Sequence, residues 1–474
     1  MCGILGILGA PPAFAQKLAI PQARKLQHRG PDEFGSAFHG GSGLCHCRLS
    51  IVDPIRGSQP FARSDGAVSL VANAAIYNHR ELRCQLQHEA GVQFETENDC
   101  EVLLHAYLHW GEAFLDRLDG FFAIIILDHR DGTGEPKLIA ARDAVGVTSL
   151  FVSVCHMSDL GALEDSAGPE APTQFLLLGS ELKSLCSSTL ALSDGPKESP
   201  FVTDCVATFP PGHWICTDAA QVKDCFKSAQ SDLSFDQVDT TVKGSRPATN
   251  GQAGDFAAAW LSQLGLRRFF QPAWYHGGAL QSWEQNLDLA SLRKTVCAAV
   301  RKRLMSDVPI AFLLSGGLDS SLVCLAASEY LDELRSEPKP FTGASAGFAR
   351  PITLENLTNE DGRLRTYTVG VVDTEGKVSG DILAARQVAA HLGTHHTEVL
   401  FTAEEGFKAI SECIYHIESF DVSTVRSSIP LLFLSERIRT DGIKVLLSGE
   451  GSDEIFGGTS HTLFMAASGA HRCL

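Results

Sequence analysis

Pro309-Ile310-Ala311-Phe312-Leu313-Leu314-Ser315-Gly316-Gly317-Leu318-Asp319-Ser320-Ser321 is the stretch on which the fold turns. An apolar run long enough for one buried strand ends in a Gly-rich turn, and helical spacing takes over across residues 320–334. A strand that feeds a glycine loop and then a helix is a building unit of a parallel α/β sheet. Backbone N–H groups of such a loop point outward at the helix N-terminus and can cradle phosphate oxygens. No Lys follows the last Gly, so this is not a Walker A loop. Asp319 would repel phosphate unless Mg²⁺ sits between them. That combination suits pyrophosphate better than a transferred γ-phosphoryl group.

On the C-terminal side, residues 366–372 and 444–447 read as further apolar strands, and residues 382–392 and 430–439 as helices. On the N-terminal side, residues 292–304 are amphipathic. Strands alternating with helices predict a parallel α/β domain over residues 284–474. Its last strand runs into Leu447-Ser448-Gly449-Glu450-Gly451-Ser452-Asp453-Glu454. Three carboxylates among Gly and Ser are costly together unless a cation is near. Asp453 with Asp319 would make an oxygen-ligand site for Mg²⁺.

The first 216 residues read as short strands and turns packed with helices. Val68-Ser69-Leu70-Val71-Ala72 is a strand candidate ending at Asn73, residues 121–127 form a buried strand, and residues 101–110 have helical spacing. Residues 217–283 are read as a linker or insertion, polar through about residue 256. Residues 158–173, 190–200 and 335–360 read as loop insertions. The division predicted is therefore 1–216, 217–283 and 284–474.

The chain begins Met1-Cys2-Gly3-Ile4. Removal of Met1 would put a free α-amine on the residue that carries the thiol. Such an amine has an ordinary pKa of about 7.7–8.0 and can take the thiol proton. An amino-acid substrate needs a guanidinium for its carboxylate, a carboxylate for its ammonium and donors for an oxyanion. Arg48, Asp99 and Asn73 are of those types.

The 474 residues give about three domains at roughly 150 residues each. A net charge of −17 argues against a nucleic-acid partner. No run approaches a membrane span. The apolar N-terminal segment, lacking a preceding Lys or Arg and interrupted by Gly and Pro, argues against a secretory leader. The 14 cysteines contain no C-x-x-C pair, which favours reduced thiols in a cytoplasmic protein over a disulfide or zinc framework.

Met1-Cys2-Gly3-Ile4, His28-Arg29-Gly30-Pro31-Asp32, Arg48-Leu49-Ser50-Ile51-Val52-Asp53 and Ile76-Tyr77-Asn78 resemble the class II glutamine amidotransferase domain. The half containing residues 315–321 and 447–454 resembles the asparagine synthetase domain. In that order, the two are similar to the glutamine-hydrolysing asparagine synthetases. The resemblance implies an Ntn-hydrolase four-layer α-β-β-α sandwich followed by a parallel α/β ATP-pyrophosphatase domain. It implies Cys2 as nucleophile, Asn73 and Ala74 at the oxyanion, and Arg48, Leu49, Ser50, Ile51, Val52, Ala75 and Asp99 around glutamine. It places Leu313, Ser315, Gly316, Gly317, Asp319, Ser320, Ser321, Val369, Ser448 and Gly449 at ATP and its pyrophosphate. Asp319 and Asp453 would hold Mg²⁺, and Glu450 would serve formation and capture of β-aspartyl-AMP. Ser423, Thr424 and Arg426 would line the aspartate site. The implied partners are L-glutamine, L-aspartate and ATP, with neither nucleic acid nor membrane, and the resemblance allows a homodimer.

Two departures qualify the expectation. The family has Gly-Glu where this chain has Ala74-Ala75, which predicts weakened glutamine use. The family also continues into further helices after Gly457-Gly458, whereas here the chain runs from Thr459 to Leu474 and reads as shortened, with an exposed apolar face expected. Other readings are a degenerate chain acting as a binding or regulatory partner, and a relative that activates a different carboxylate. The first has ammonia-only or no activity, and relatives of the second kind lack both the Cys2 nucleophile and a Glu at the position of Glu450.

Overall fold

The apolar run that opens the chain is a strand buried on both faces. A computed structural model describes residues 1–132, 136–156, 174–185, 206–222, 224, 261–272, 288–336 and 352–456. The chain divides into two units, Met1–Trp283 and Glu284–Leu474. The loop insertions expected at 158–173 and 190–200, most of 335–360 and the tail after Phe456 lie outside the described residues.

In the first unit the strands are β1 (Gly3–Leu8), β2 (Glu33–His39), β3 (Ser42–Arg48), β4 (Phe61–Ala62), β5 (Val68–Ile76) and β6 (Gly120–Asp128). They continue with β7 (Lys137–Arg142), β8 (Phe151–His156), β9 (Gln174–Gly179), β10 (Val206–Thr208), β11 (His213–Thr217) and β12 (Arg267–Arg268). Two antiparallel sheets result, in the orders β10-β8-β9-β1-β3-β2 and β12-β11-β7-β6-β5-β4. Helices α1 (Pro12–Arg24), α2 (His79–Ala90) and α3 (Glu101–Trp110) accompany them.

Side-chain alternation builds the layers. Along β1, Ile4 and Leu8 face a core shared with Leu44, Val71, Ile125, Leu178 and Ile215 from both sheets. Leu5 and Ile7 face the opposite way, against Phe14 and Leu18 of α1. The outer face of the second sheet packs Leu70 and Ile124 against Leu82, Leu86 and Leu103 of α2 and α3. The unit is thus an α-β-β-α sandwich.

In the second unit the elements are α4 (Leu289–Arg303), β13 (Ile310–Leu313), α5 (Leu318–Ser336), α6 (Leu354–Leu357), β14 (Arg365–Val372) and α7 (Gly380–Leu392). Then come β15 (His395–Thr402), α8 (Ala403–Lys408), α9 (Ile410–Ile417), α10 (Val422–Thr440), β16 (Val445–Leu447) and α11 (Ser452–Phe456). The four strands form a parallel sheet in the order β15-β14-β13-β16. Ile310 and Phe312 pack with Val300, Cys324, Leu331 and Ala385 on one face. Ala311 and Tyr367 pack with Leu434 and Ile438 on the other. Both faces are covered, which explains the near-continuous apolar reading of β13.

Three elements differ from the sequence reading. Strand β5 continues through Ala74 and Ala75 to Ile76, because β6 pairs with it residue by residue to the end. Helix α10 starts at Val422, where Asp421 caps Thr424 N at 2.7 Å, and Pro430 lies inside it. Within the stretch read as linker, Ala219, Val222, Leu261 and Leu264 are buried and β12 pairs with β11, so parts of it pack on the first unit.

Candidate active sites

The first site forms where β1, the end of β3 and the end of β5 meet. Leu49 N–H donates to Cys2 Sγ at 3.3 Å, and Cys2 N–H donates to Asn73 Oδ1 at 2.9 Å. Asn73 is 2% exposed, and its Nδ2 has no partner among the described residues. A buried amide donor left open beside a sulfur is an arrangement suited to a developing oxyanion. Burial raises the Cys2 thiol above its ordinary pKa, opposed by the nearby amino terminus and by the Leu49 N–H. Burial also lowers the Met1 α-amine.

The segment after β3 is fastened from several sides. Ser50 N–H donates to Asp32 Oδ2 at 2.7 Å, and Asn98 Nδ2 donates to Val52 O at 2.7 Å. Arg48 is 4% exposed and donates to Glu33 Oε2, Pro54 O and Asp53 O at 3.2, 3.1 and 2.6 Å. Three of its five N–H donors are so used. Gly57 allows this packing, since a Cβ there would lie 2.4 Å from both Arg48 Nη2 and Asn98 Nδ2.

Asp99 joins from the start of α3. Its Oδ2 accepts Ile76 N–H at 2.9 Å, so it sits against the same end of β5 as Asn73. Burial pushes its carboxyl up to about 6, against the lowering effect of that hydrogen bond. Ala74 and Ala75 lie between these two contacts, opposite Phe122 and Phe121 on β6. Neither has a positive φ, so Ala74 keeps an unstrained backbone where the family has Gly. Ala75 brings no second carboxylate. The structure therefore gathers Cys2, Arg48 to Val52, Asn73, Ala74, Ala75 and Asp99 around one strand end.

Sequence reasoning gave no role to Arg29 or Glu181. Arg29 Nε donates to Cys2 O at 3.0 Å and its Nη1 to Glu181 Oε1 at 2.8 Å. His28-Arg29 was visible as a motif, but 152 residues separate Arg29 from Glu181.

The second site lies at the C-terminal ends of β13 and β16. From β13 the chain moves outward to β14 and β15, then returns to place β16 on β13's other side. Ligands in open parallel sheets bind at such a switch point, outside the strand ends. The loop after β13 is internally bonded: Ser315 N–H donates to Ser320 Oγ at 3.2 Å, and Ser321 Oγ donates to Gly317 O at 2.6 Å. Gly316 has φ +80°, and a Cβ there would lie 2.6 Å from Ala384 Cβ. Only Gly fits. The loop after β16 packs directly on it, since a Cβ on Gly449 would meet Ser320 N at 2.8 Å and Asp319 Cβ at 2.9 Å. Ser448 Oγ accepts Glu450 N–H at 3.3 Å.

Leu313 and Val369 both pack on the sheet face covered by Leu434 and Ile438 of α10. Ser423, Thr424 and Arg426 occupy the exposed first turns of that helix. The Thr424 hydroxyl is committed to Asp421 Oδ2 at 2.8 Å, a capping role that the sequence reading did not foresee. Glu450 and Asp453 are exposed. Leu318 (74%), Phe420 (84%), Val422 (79%) and Ile455 (76%) form exposed apolar surface on these elements. Among the described residues no group of three or more His, Cys, Asp and Glu gathers as a metal site, no helix is long and apolar enough to cross a membrane, and the cysteines are free.

The family described as glutamine amidotransferase domain matches residues 1–227, and the family described as asparagine synthase matches residues 291–472. The asparagine synthetase [glutamine-hydrolyzing] of Zea mays is 36% identical over 97% of this chain and 60% of its own length. Asparagine synthetase [glutamine-hydrolyzing] 3 of Arabidopsis thaliana is 36% identical over 97% of this chain and 61% of its own. The probable asparagine synthetase [glutamine-hydrolyzing] of Schizosaccharomyces pombe is 34% identical over 97% and 65%. The chain thus spans about three fifths of the length of the curated relatives it matches. A solved glutamine phosphoribosylpyrophosphate amidotransferase from B. subtilis aligns over 85% of this chain and 91% of that chain at 14% identity. Its TM-score of 0.37 is too low to bear on function.

Proposed function

From the premise that the chain belongs, by its two halves, to the glutamine amidotransferase domain and asparagine synthase families, we propose that it converts L-aspartate to L-asparagine. ATP would be cleaved to AMP and pyrophosphate, and glutamine would supply the nitrogen. The observation that carries the first half is the buried Asn73 Nδ2 beside Cys2, without a partner among the described residues.

With Met1 removed, the Cys2 α-amine takes the thiol proton and the thiolate attacks the glutamine amide carbon. Asn73 Nδ2 and the Ala74 N–H receive the oxyanion. Arg48 holds the substrate carboxylate and Asp99 its ammonium. The α-ammonium returns its proton to the leaving nitrogen, ammonia departs, and water then releases glutamate from the Cys2 thioester.

In the second half the aspartate β-carboxylate attacks the α-phosphorus of ATP, forming β-aspartyl-AMP. Pyrophosphate departs into the cradle formed by Ser315, Gly316, Gly317, Ser320 and Ser321. Leu313, Val369, Ser448 and Gly449 border the nucleotide, and Ser423, Thr424 and Arg426 the aspartate. Glu450 takes a proton from ammonia as it attacks the acyl carbon. The donor set fits a hard cation: Gly449 abuts Asp319, which brings it against the loop that leads to Asp453, and both offer oxygen. Mg²⁺ is characteristically held by one or two carboxylates together with substrate phosphates. Asp319 and Asp453 would hold it, and when bound it supplies neutralisation of phosphate charge. The free cysteines support a reducing compartment, which we take to be the cytoplasm.

The test is transfer of a heavy-nitrogen label from the glutamine amide into asparagine. Cys2→Ala should abolish transfer from glutamine and preserve synthesis from ammonium. Unchanged transfer in Cys2→Ala would contradict the assignment.

A further inference from the structure

A nucleophile at a chain terminus has no preceding residue to hold it, and chain ends fray unless tied down. Once Met1 is removed, Cys2 is in that position. Its nitrogen is held by Asn73 and its carbonyl by Arg29, at 2.9 and 3.0 Å. Asn73 must also serve the oxyanion, so the second tether carries much of the positioning.

We propose that Glu181 is a positioning residue for Cys2, acting through the Arg29 guanidinium that it anchors. This rests on the reading of Cys2 as the glutamine-hydrolysing nucleophile. Glu181 follows β9 directly, and the residue before it closes onto β1: Ser180 N–H donates to Ile4 O at 3.1 Å, and Ile4 N–H donates to Ser180 Oγ at 3.0 Å. The anchor is therefore fixed to the strand that carries the nucleophile. Arg29 reaches two acceptors in different directions with one planar group, which Lys cannot do.

The surroundings are not those of a simple neutralising pair. The Glu181 side chain is 10% exposed and also accepts from Lys183 Nζ at 2.7 Å and His28 Nε2 at 3.1 Å. His28 Nδ1 faces Lys25 O at 3.0 Å. Two cationic side chains, Arg29 and Lys183, on one carboxylate exceed what charge balance requires. These hydrogen bonds outweigh burial and hold the Glu181 carboxyl down to about 2. The ionised anchor thus persists at every pH where the nucleophile works.

The test compares the full chain, with Met1 removal verified by mass spectrometry, with Glu181→Gln, Arg29→Lys and Leu185→Ala. Leu185 is fully buried in the α1 core and controls for lost stability. Glutamine hydrolysis should lose about tenfold or more in kcat in the first two variants, with KM within about twofold, since a misplaced reacting group costs turnover rather than binding. Leu185→Ala should lower Tm and leave kcat within about twofold. If Glu181→Gln and Arg29→Lys behave like Leu185→Ala, the cluster is structural and the proposal is overturned. Should the parent chain hydrolyse no glutamine, the functional reading fails. Iodoacetamide labelling of Cys2 relative to the exposed Cys84 then decides the proposal separately. A ratio that shifts in Glu181→Gln and Arg29→Lys but not in Leu185→Ala supports it, and an unchanged ratio overturns it.

Discussion

The side chain of Asn73 accepts the backbone N–H of Cys2 at 2.9 Å while its own Nδ2 stays buried without a partner among the described residues. One amide thus holds Cys2 and offers a donor beside its thiol. Asn73→Ala should lower kcat for glutamine hydrolysis by about 10²–10³, the usual loss for one oxyanion donor. Steady-state glutamate release is the measurement. A loss confined to KM would show that Asn73 binds substrate only.

Asp99 gives a pH signature. Burial raises its carboxyl to about 6. Only the ionised form pairs with a substrate ammonium, so KM for glutamine should climb as pH falls through about 6, approaching tenfold per pH unit below it. Stability runs the other way. The unfolded carboxyl ionises first, so folding is penalised as pH rises from about 4 to 6, and Asp99→Asn should raise Tm above that window. A KM independent of pH between 5 and 7 would remove Asp99 from the ammonium site.

In the proposed glutamine site, Ala75 leaves the substrate ammonium with one carboxylate. A charge-assisted hydrogen bond is worth about 1.5–3 kcal/mol, or roughly 10- to 150-fold. Ala75→Glu should lower the glutamine KM toward that extent. An unchanged KM would mean the side chain at this position does not reach the substrate.

The contact of Gly449 with Asp319 and Ser320 predicts a size limit. A Cβ at Gly449 would lie 2.8 Å from Ser320 N, and backbone cannot yield as a flexible side chain can. Gly449→Val should weaken ATP binding at least tenfold by displacing the pyrophosphate loop, as measured by calorimetry. Unaltered affinity would separate this loop from the nucleotide.

Much of this was legible because it is local. Residues 315–321 announce themselves through a strand, a glycine that must take φ +80° and a helix start. The sheet order that makes β13 and β16 neighbours is a long-range property, and only the structure shows Gly449 resting on Asp319. Strand β5 was ended too early because Ala74 and Ala75 have low strand propensity, and pairing with β6 overrides it. Pro430 was placed at a helix start, where proline is favoured, although the Asp421 cap begins α10 earlier. The Glu181–Arg29 tether was illegible, since nothing in the spacing of 152 residues signals that β9 lies beside β1.

The central claim is that the second unit activates aspartate with ATP. The most direct measurement is asparagine and AMP formation by the purified chain from aspartate, ATP, Mg²⁺ and ammonium, with glutamine omitted. The account predicts asparagine and AMP in equal amounts, lost in Asp319→Ala. A folded chain that binds ATP yet forms neither product would contradict it.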